Sequence, residues 1–302
     1  MSDSIHPAAD ERPVEGASVR GGHEPRRRQF VKTSLAAGFA AAASSSINVQ
    51  ALITTDEAGL SAGEIRIPAA GGQIPAYRAQ PAAGNRLPTI LVVHEIFGVH
   101  EHIKDVCRRF AKLGYLAVAP DLFARYGHAS AIPDMTALIR QIVSRASDSE
   151  VLSDLETAAR WAASHGGDPA RQGVTGFCWG GRIVWLYAAR HPELKAAVAW
   201  YGRLVGESTP ATPSQPVDVA GSLKVPVLGL YGGADTGIPA ETIEQMRRAL
   251  ASAPAPGSES QFVVYPDASH AFFADYRPSY HERSAQDGWA RCQDWFKKYG
   301  LS

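Results

Sequence analysis

The sequence predicts an α/β fold in which a mostly parallel central sheet carries helices on both faces. Thr89–His94 (TILVVH) and Tyr115–Ala119 (YLAVA) are unbroken apolar runs, the mark of strands buried on both sides. From about residue 63 such runs alternate with stretches of helical periodicity, as parallel strands joined by crossover helices do. No linker composition interrupts the alternation after residue 60, so a single domain over 62–300 accommodates it.

Residues 1–51 stand apart from this pattern. Residues 1–24 are polar and rich in Gly, Pro and charge, which reads as disorder. Arg26 to Lys32 (RRRQFVK) then precede the apolar run Ser34–Ala43 and small residues, the make-up of an export signal. Arg27 and Arg28, with Phe30 and Lys32 behind them, are similar to the twin-arginine motif. The run is too short and too alanine-rich for a membrane span. The expectation is a chain handed folded to the twin-arginine export machinery and delivered to a bacterial periplasm, with cleavage after Ala43 or Ala51. An ordinary basic tail or a retained anchor is the other reading.

Within the domain, Gly63–Pro68 and Gln73–Gln80 alternate about Ala70-Gly71-Gly72 as a strand pair does. The strand Thr89–His94 comes next, then a helix over Glu101–Leu113 and the strand Tyr115–Ala119. Pro133–Ser144 and Glu150–Ser164 read as helices, Gln172–Phe177 as a strand and Gly181–Arg190 as a helix. Ala196–Tyr201, Val225–Tyr231 and Gln261–Tyr265 are further strands, with helices near Ala240–Ala251 and Ser284–Tyr299. Catalytic loops in such a sheet gather at the carboxyl ends of its strands.

Thirty basic and thirty acidic side chains balance, and no basic stripe stands out, so nucleic-acid binding has no electrostatic support. The three cysteines show no zinc-site spacing, and no metal or organic cofactor is called for. Cys107 and Cys292 sit among apolar residues of helical stretches and read as small buried hydrophobes. His100 and His102 have no third ligand nearby in the chain and read as solvated loop residues.

Cys178 has a different setting. Gly176-Phe177-Cys178-Trp179-Gly180 has the G-x-nucleophile-x-G form and falls between a predicted strand and a predicted helix. A nucleophile on so sharp a turn needs small neighbours, and the free N–H groups of the following helix favour a thiolate. Asp235 follows the strand VPVLGLYG, and His270 follows FVVYP. Taken singly, such an Asp is a turn former and such a His a surface residue. In the order nucleophile, acid, histidine, each after a strand, the three predict a catalytic triad.

The segments HEIFG (His94–Gly98), APDLFAR (Ala119–Arg125), GFCWGG (Gly176–Gly181), GGAD (Gly232–Asp235) and SHAFF (Ser269–Phe273) together resemble dienelactone hydrolase, also called carboxymethylenebutenolidase. The resemblance runs over roughly residues 62–300 and implies an α/β-hydrolase domain. It implies Cys178 as nucleophile, His270 as general base and Asp235 as the carboxylate that orients it. It further implies that Glu95 neighbours the thiol and couples its ionisation to substrate binding, that the N–H groups of Ile96 and Trp179 form the oxyanion hole, and that Arg125 grips a substrate carboxylate. Without the resemblance, Glu95 reads as a loop-capping carboxylate. The family's second substrate arginine is unmatched, since Ala274 and Asp275 occupy that stretch; Arg277 follows a little later.

The activity implied is hydrolysis of a small ester or lactone by acyl transfer through the thiol. The alternatives are a broader carboxylesterase or thioesterase on the same scaffold, or a non-catalytic periplasmic binding protein.

Overall fold

Alternating polar and apolar residues make Leu60–Ala69 (β1) and Gly72–Pro81 (β2) an antiparallel pair with Leu60 opposite Pro81 and Ala69 opposite Gly72. They are the first strands of a computed structural model that describes residues 53–69 and 71–302. The basic run Arg26–Lys32, the apolar run Ser34–Ala43 and both expected cleavage positions lie outside the described residues. Among the described residues no helix is long and apolar enough to cross a membrane.

The apolar runs form the centre of the sheet. Leu87–Val93 (β3), Leu116–Pro120 (β4), Gly167–Phe177 (β5), Leu194–Trp200 (β6), Val227–Gly232 (β7) and Gln261–Tyr265 (β8) complete eight strands in the order β1-β2-β4-β3-β5-β6-β7-β8. β2 is antiparallel to β1 and β4; every other neighbouring pair is parallel. β4 lies on one side of β3 and β5 on the other, so the connections leaving the adjacent ends of β3 and β5 diverge and leave a crevice.

Helices Glu101–Lys112 (α1), Met135–Gln141 (α2), Asp148–Ser164 (α3), Trp179–Arg190 (α4), Ala240–Ala251 (α5) and Glu282–Lys298 (α6) cover the sheet. The strand period of two shows how. A Cβ on Gly173 would stand 2.9 Å from Phe296 of α6, and one on Gly176 would stand 2.6 Å from the Gly180 carbonyl of α4. Those two positions point to opposite faces. α6 shares its face with α1, through Phe110 against Trp289 at 4.7 Å, and α4 is tied to α3 by Arg182 and Asp148.

Candidate active site

Every strand that the sequence ties to chemistry ends at this crevice or beside it: Glu95 follows β3, Cys178 follows β5, Asp235 follows β7 and His270 follows β8. Cys178 has φ 55° and ψ −115°, a left-handed conformation that costs a residue with a Cβ about 1–3 kcal/mol. The surroundings enforce it. Gly176 and Gly180 bring β5, α4 and the end of β3 so close that a Cβ on Gly180 would stand 2.6 Å from the His94 carbonyl. The Cys178 N–H donates to the Trp200 carbonyl at 3.0 Å, and its own carbonyl accepts from Gly181 at 3.0 Å as α4 begins. The thiol is thus aimed from the positive end of a helix while 6 % exposed.

His270 and Asp235 meet through an Nδ1–Oδ2 hydrogen bond of 2.7 Å, and the Gly237 N–H donates to the other Asp235 oxygen at 2.8 Å. Their loops are laced together: the Ala234 N–H donates to the Ala268 carbonyl at 3.0 Å and the Gly233 N–H to the Tyr265 carbonyl at 2.7 Å. Burial disfavours a charged His270 ring. The negative charge of Cys178, hydrogen bonds with Asp235 and Cys178, and the Asp235 charge outweigh it and raise the pKa to about 10. Cys178 and Asp235 thus both favour the protonated ring.

Glu95 is fully enclosed. Its Oε2 accepts from the Tyr276 hydroxyl at 2.7 Å and lies 3.1 Å from His100 Nε2. Its Oε1 has no hydrogen-bond partner among the described residues. Burial works to raise the Glu95 pKa, yet the His100 hydrogen bond and the charges of His100, Arg277 and His102 bring it down to about 2. The backbone N–H groups of Ile96 and Trp179 donate to no protein acceptor among the described residues, the condition a hole for a developing oxyanion requires.

The dienelactone hydrolase family profile matches residues 74–300. The chain belongs to the dienelactone hydrolase family. A protein of Methylorubrum extorquens, provisionally named carboxymethylenebutenolidase, is 58 % identical over 277 residues, covering 91 % of this chain and 94 % of that one. One of Salmonella typhimurium with the same provisional name is 54 % identical over 269 residues, 89 % of this chain and 98 % of its own. Among solved structures, one provisionally described as a dienelactone hydrolase from Klebsiella pneumoniae is 56 % identical with a TM-score of 0.77, covering 80 % of this chain and 99 % of that one. The single α/β domain is the one this family uses, and the chain is a carboxylic ester hydrolase, acting on esters or lactones.

Two sequence expectations change within this family frame. His102, expected in a solvated loop, is buried on α1 with its Nδ1 3.1 Å from Asp275 Oδ1. His100, just before α1, is the hydrogen-bond partner of Glu95. The sequence conceals this because the His102 partner, Asp275, lies 173 residues away, and because the Glu95 that His100 meets is itself turned inward. Among the described residues no three His, Cys, Asp or Glu groups gather as a metal site.

Arg125 pairs with a carboxylate of α3. Its Nε and Nη2 bond both oxygens of the buried Asp154, at 2.9 and 2.6 Å, and it lines a hollow with Gly71, Gln73 and Ile74. Two guanidinium charges act on the site, that of Arg277 on Glu95 and that of Arg203 on Cys178. Burial lowers the Arg203 pKa, and the charge on Cys178 partly offsets that. Arg203 and Tyr201, the latter edge-on to His270 at 5.2 Å, were missed in the sequence. Both sit just past an apolar strand, the same signal that located Asp235.

Proposed function

We propose that this chain hydrolyses a small ester or lactone through Cys178, His270 and Asp235, and that it does so after export from the cytoplasm. What supports the reading is the Asp235–His270–Cys178 arrangement at the strand ends, with a 2.7 Å acid–base bond and a nucleophile held in a left-handed turn. The Cys178 sulfur attacks the carbonyl carbon, and the carbonyl π electrons move to oxygen, which takes hydrogen bonds from the Ile96 and Trp179 N–H groups. On collapse the ester C–O bond breaks, and the leaving oxygen takes the proton held on His270. A water then gives a proton to His270 and attacks the thioester, whose C–S bond breaks to return the thiolate and release the carboxylic acid, which gives its own proton to solvent. Asp235 holds the ring through Nδ1 throughout. Glu95, as in the family resemblance, couples thiol ionisation to substrate arrival.

An anionic substrate fits the charges that act on the site. With Arg125 already neutralised by Asp154, that role falls to Arg203 and Arg277. The export reading is supported by Arg27-Arg28-Gln29-Phe30-Val31-Lys32 and the weakly hydrophobic run behind it.

The test is Cys178→Ala assayed on p-nitrophenyl acetate and on a dienelactone, with mass spectrometry of quenched wild-type enzyme. Turnover should fall on the order of 10³–10⁶-fold, and the wild-type peptide bearing Cys178 should carry the acyl mass. A folded Cys178→Ala variant retaining a tenth of the activity ends the proposal.

A further inference from the structure

His94 is the last residue before the Glu95 turn, is completely buried, and does no part of the chemistry above. Its hydrogen bonds fix its tautomer. The backbone N–H of Leu122 donates to Nε2 at 3.0 Å, so Nε2 is the bare nitrogen. Nδ1 therefore carries the proton, and it lies 2.6 Å from the Glu95 carbonyl oxygen. The Gly98 N–H reaches the same oxygen at 3.3 Å. A trans peptide is planar with its C=O and N–H antiparallel. Fixing the Glu95 carbonyl on the His94 side consequently turns the N–H of the next residue, Ile96, the opposite way.

The same ring reaches the second proposed donor. His94 stacks on the Trp179 indole with centroids 5.4 Å apart and 16° between planes, and meets Phe123 edge-on at 4.8 Å. One imidazole thus bonds the peptide that carries the Ile96 N–H, packs on the residue that carries the other, and anchors the loop after β4.

We propose that His94 is a positioning residue of the oxyanion hole, holding the Glu95–Ile96 peptide so that the Ile96 N–H faces the acyl oxygen formed at Cys178. This rests on the reading of Cys178 as nucleophile and of the two N–H groups as its oxyanion donors. Removing an oxyanion donor outright costs about 10²–10³-fold in kcat, so loosening one by loss of its clamp costs about 10–100-fold.

Three substitutions separate orientation from packing. His94→Phe keeps a ring against Trp179 and Phe123 but no hydrogen bond. His94→Asn places an amide donor where Nδ1 stands, and His94→Gln places its amide one bond further out. On p-nitrophenyl acetate, His94→Phe should lower kcat about 10–100-fold with KM within about threefold, and His94→Asn should recover most of that loss while His94→Gln does not. Alkylation of Cys178 by iodoacetamide forms no oxyanion, so its rate should stay within about twofold of wild type in all three. Unchanged kcat in His94→Phe overturns the proposal, as does alkylation that slows in step with hydrolysis. Should His94→Phe not fold, equal kcat in His94→Asn and His94→Gln overturns it instead. Cys178→Ala, run alongside, tells the two readings apart. If that variant still turns over, the nucleophile reading has failed; if it is inactive and the His94 variants behave as wild type, only the present inference has.

Discussion

A carboxylic acid shut away from water ordinarily keeps its proton, and Glu95 does the reverse because His100, Tyr276 and Arg277 surround it with donors and positive charge. A carboxyl held below its unfolded value adds stability that is present above pH ~4.5 and is lost as pH falls towards 2. Across that window, Glu95→Gln should cost on the order of 3 kcal/mol at pH 7. It should also flatten the acid limb of the stability curve. Urea midpoints from pH 7 to pH 2 measure this, and parallel curves for the two proteins would refute it. A second residue-scale expectation concerns the arginines. Arg203→Gln should lower kcat/KM on an anionic ester one to two decades more than on a neutral aryl ester, the worth of a charge-assisted bond of about 1.5–3 kcal/mol. Arg125→Ala should treat both substrates alike, and selectivity there instead would restore the carboxylate role read from the sequence. The positions of Cys178, Asp235 and His270 at the strand ends were legible because each lies within five residues of the end of a strand. Tyr276 was not: it reaches Glu95 across 181 residues, and no local pattern encodes such a meeting.

Among the elements, α4 bears the heaviest demand, since it must hold Cys178 in its unfavourable turn. Arg182, on its first turn, forks onto both oxygens of Asp148 at 2.7 and 2.8 Å and also donates to Gln215 and the Ser214 carbonyl. Both charged partners are buried, so removing one strands the other. Arg182→Met should therefore cost about 3–5 kcal/mol, measured by urea denaturation. Adding Asp148→Leu should restore much of it, and a double variant no better than the single would contradict the ion-pair account. The elements themselves were largely readable, and the errors have local causes. β5 begins at Gly167 rather than Gln172, because Gly-Asp-Pro-Ala looks like a turn while Leu87 pairs with Gly167. α4 begins at Trp179 and not Gly181, because tertiary crowding at the nucleophile turn overrides glycine's poor helix propensity. The stretch 133–144 yields only the helix Met135–Gln141, followed by a short 3₁₀ turn at Val143–Arg145.

At the scale of the whole molecule, the sheet joins strands far apart in sequence, and long-range parallel pairing forms slowly. That suits a route that carries a finished fold across a membrane. Arg27→Lys with Arg28→Lys should leave the protein in the cytoplasmic fraction, as read by comparing mature protein in the two compartments, and unchanged export would reject the twin-arginine route. The strand order was the part of the architecture the sequence did not disclose. Buried strands share one apolar vocabulary, so composition announces a parallel sheet without saying that β4 stands between β2 and β3. One further property follows from the backbone bonds lacing the Asp235 and His270 loops. Ala234 to Ala268 and Gly233 to Tyr265 close these loops into a ring with β7 and β8, so a displacement of either carries the other with it. The spacing between His270 and Asp235 is then held by the frame rather than by either loop alone. The short stretch 203–206, which includes Arg203 and ends before the Ser214 and Gln215 contacts that anchor Arg182, can change while that spacing is kept.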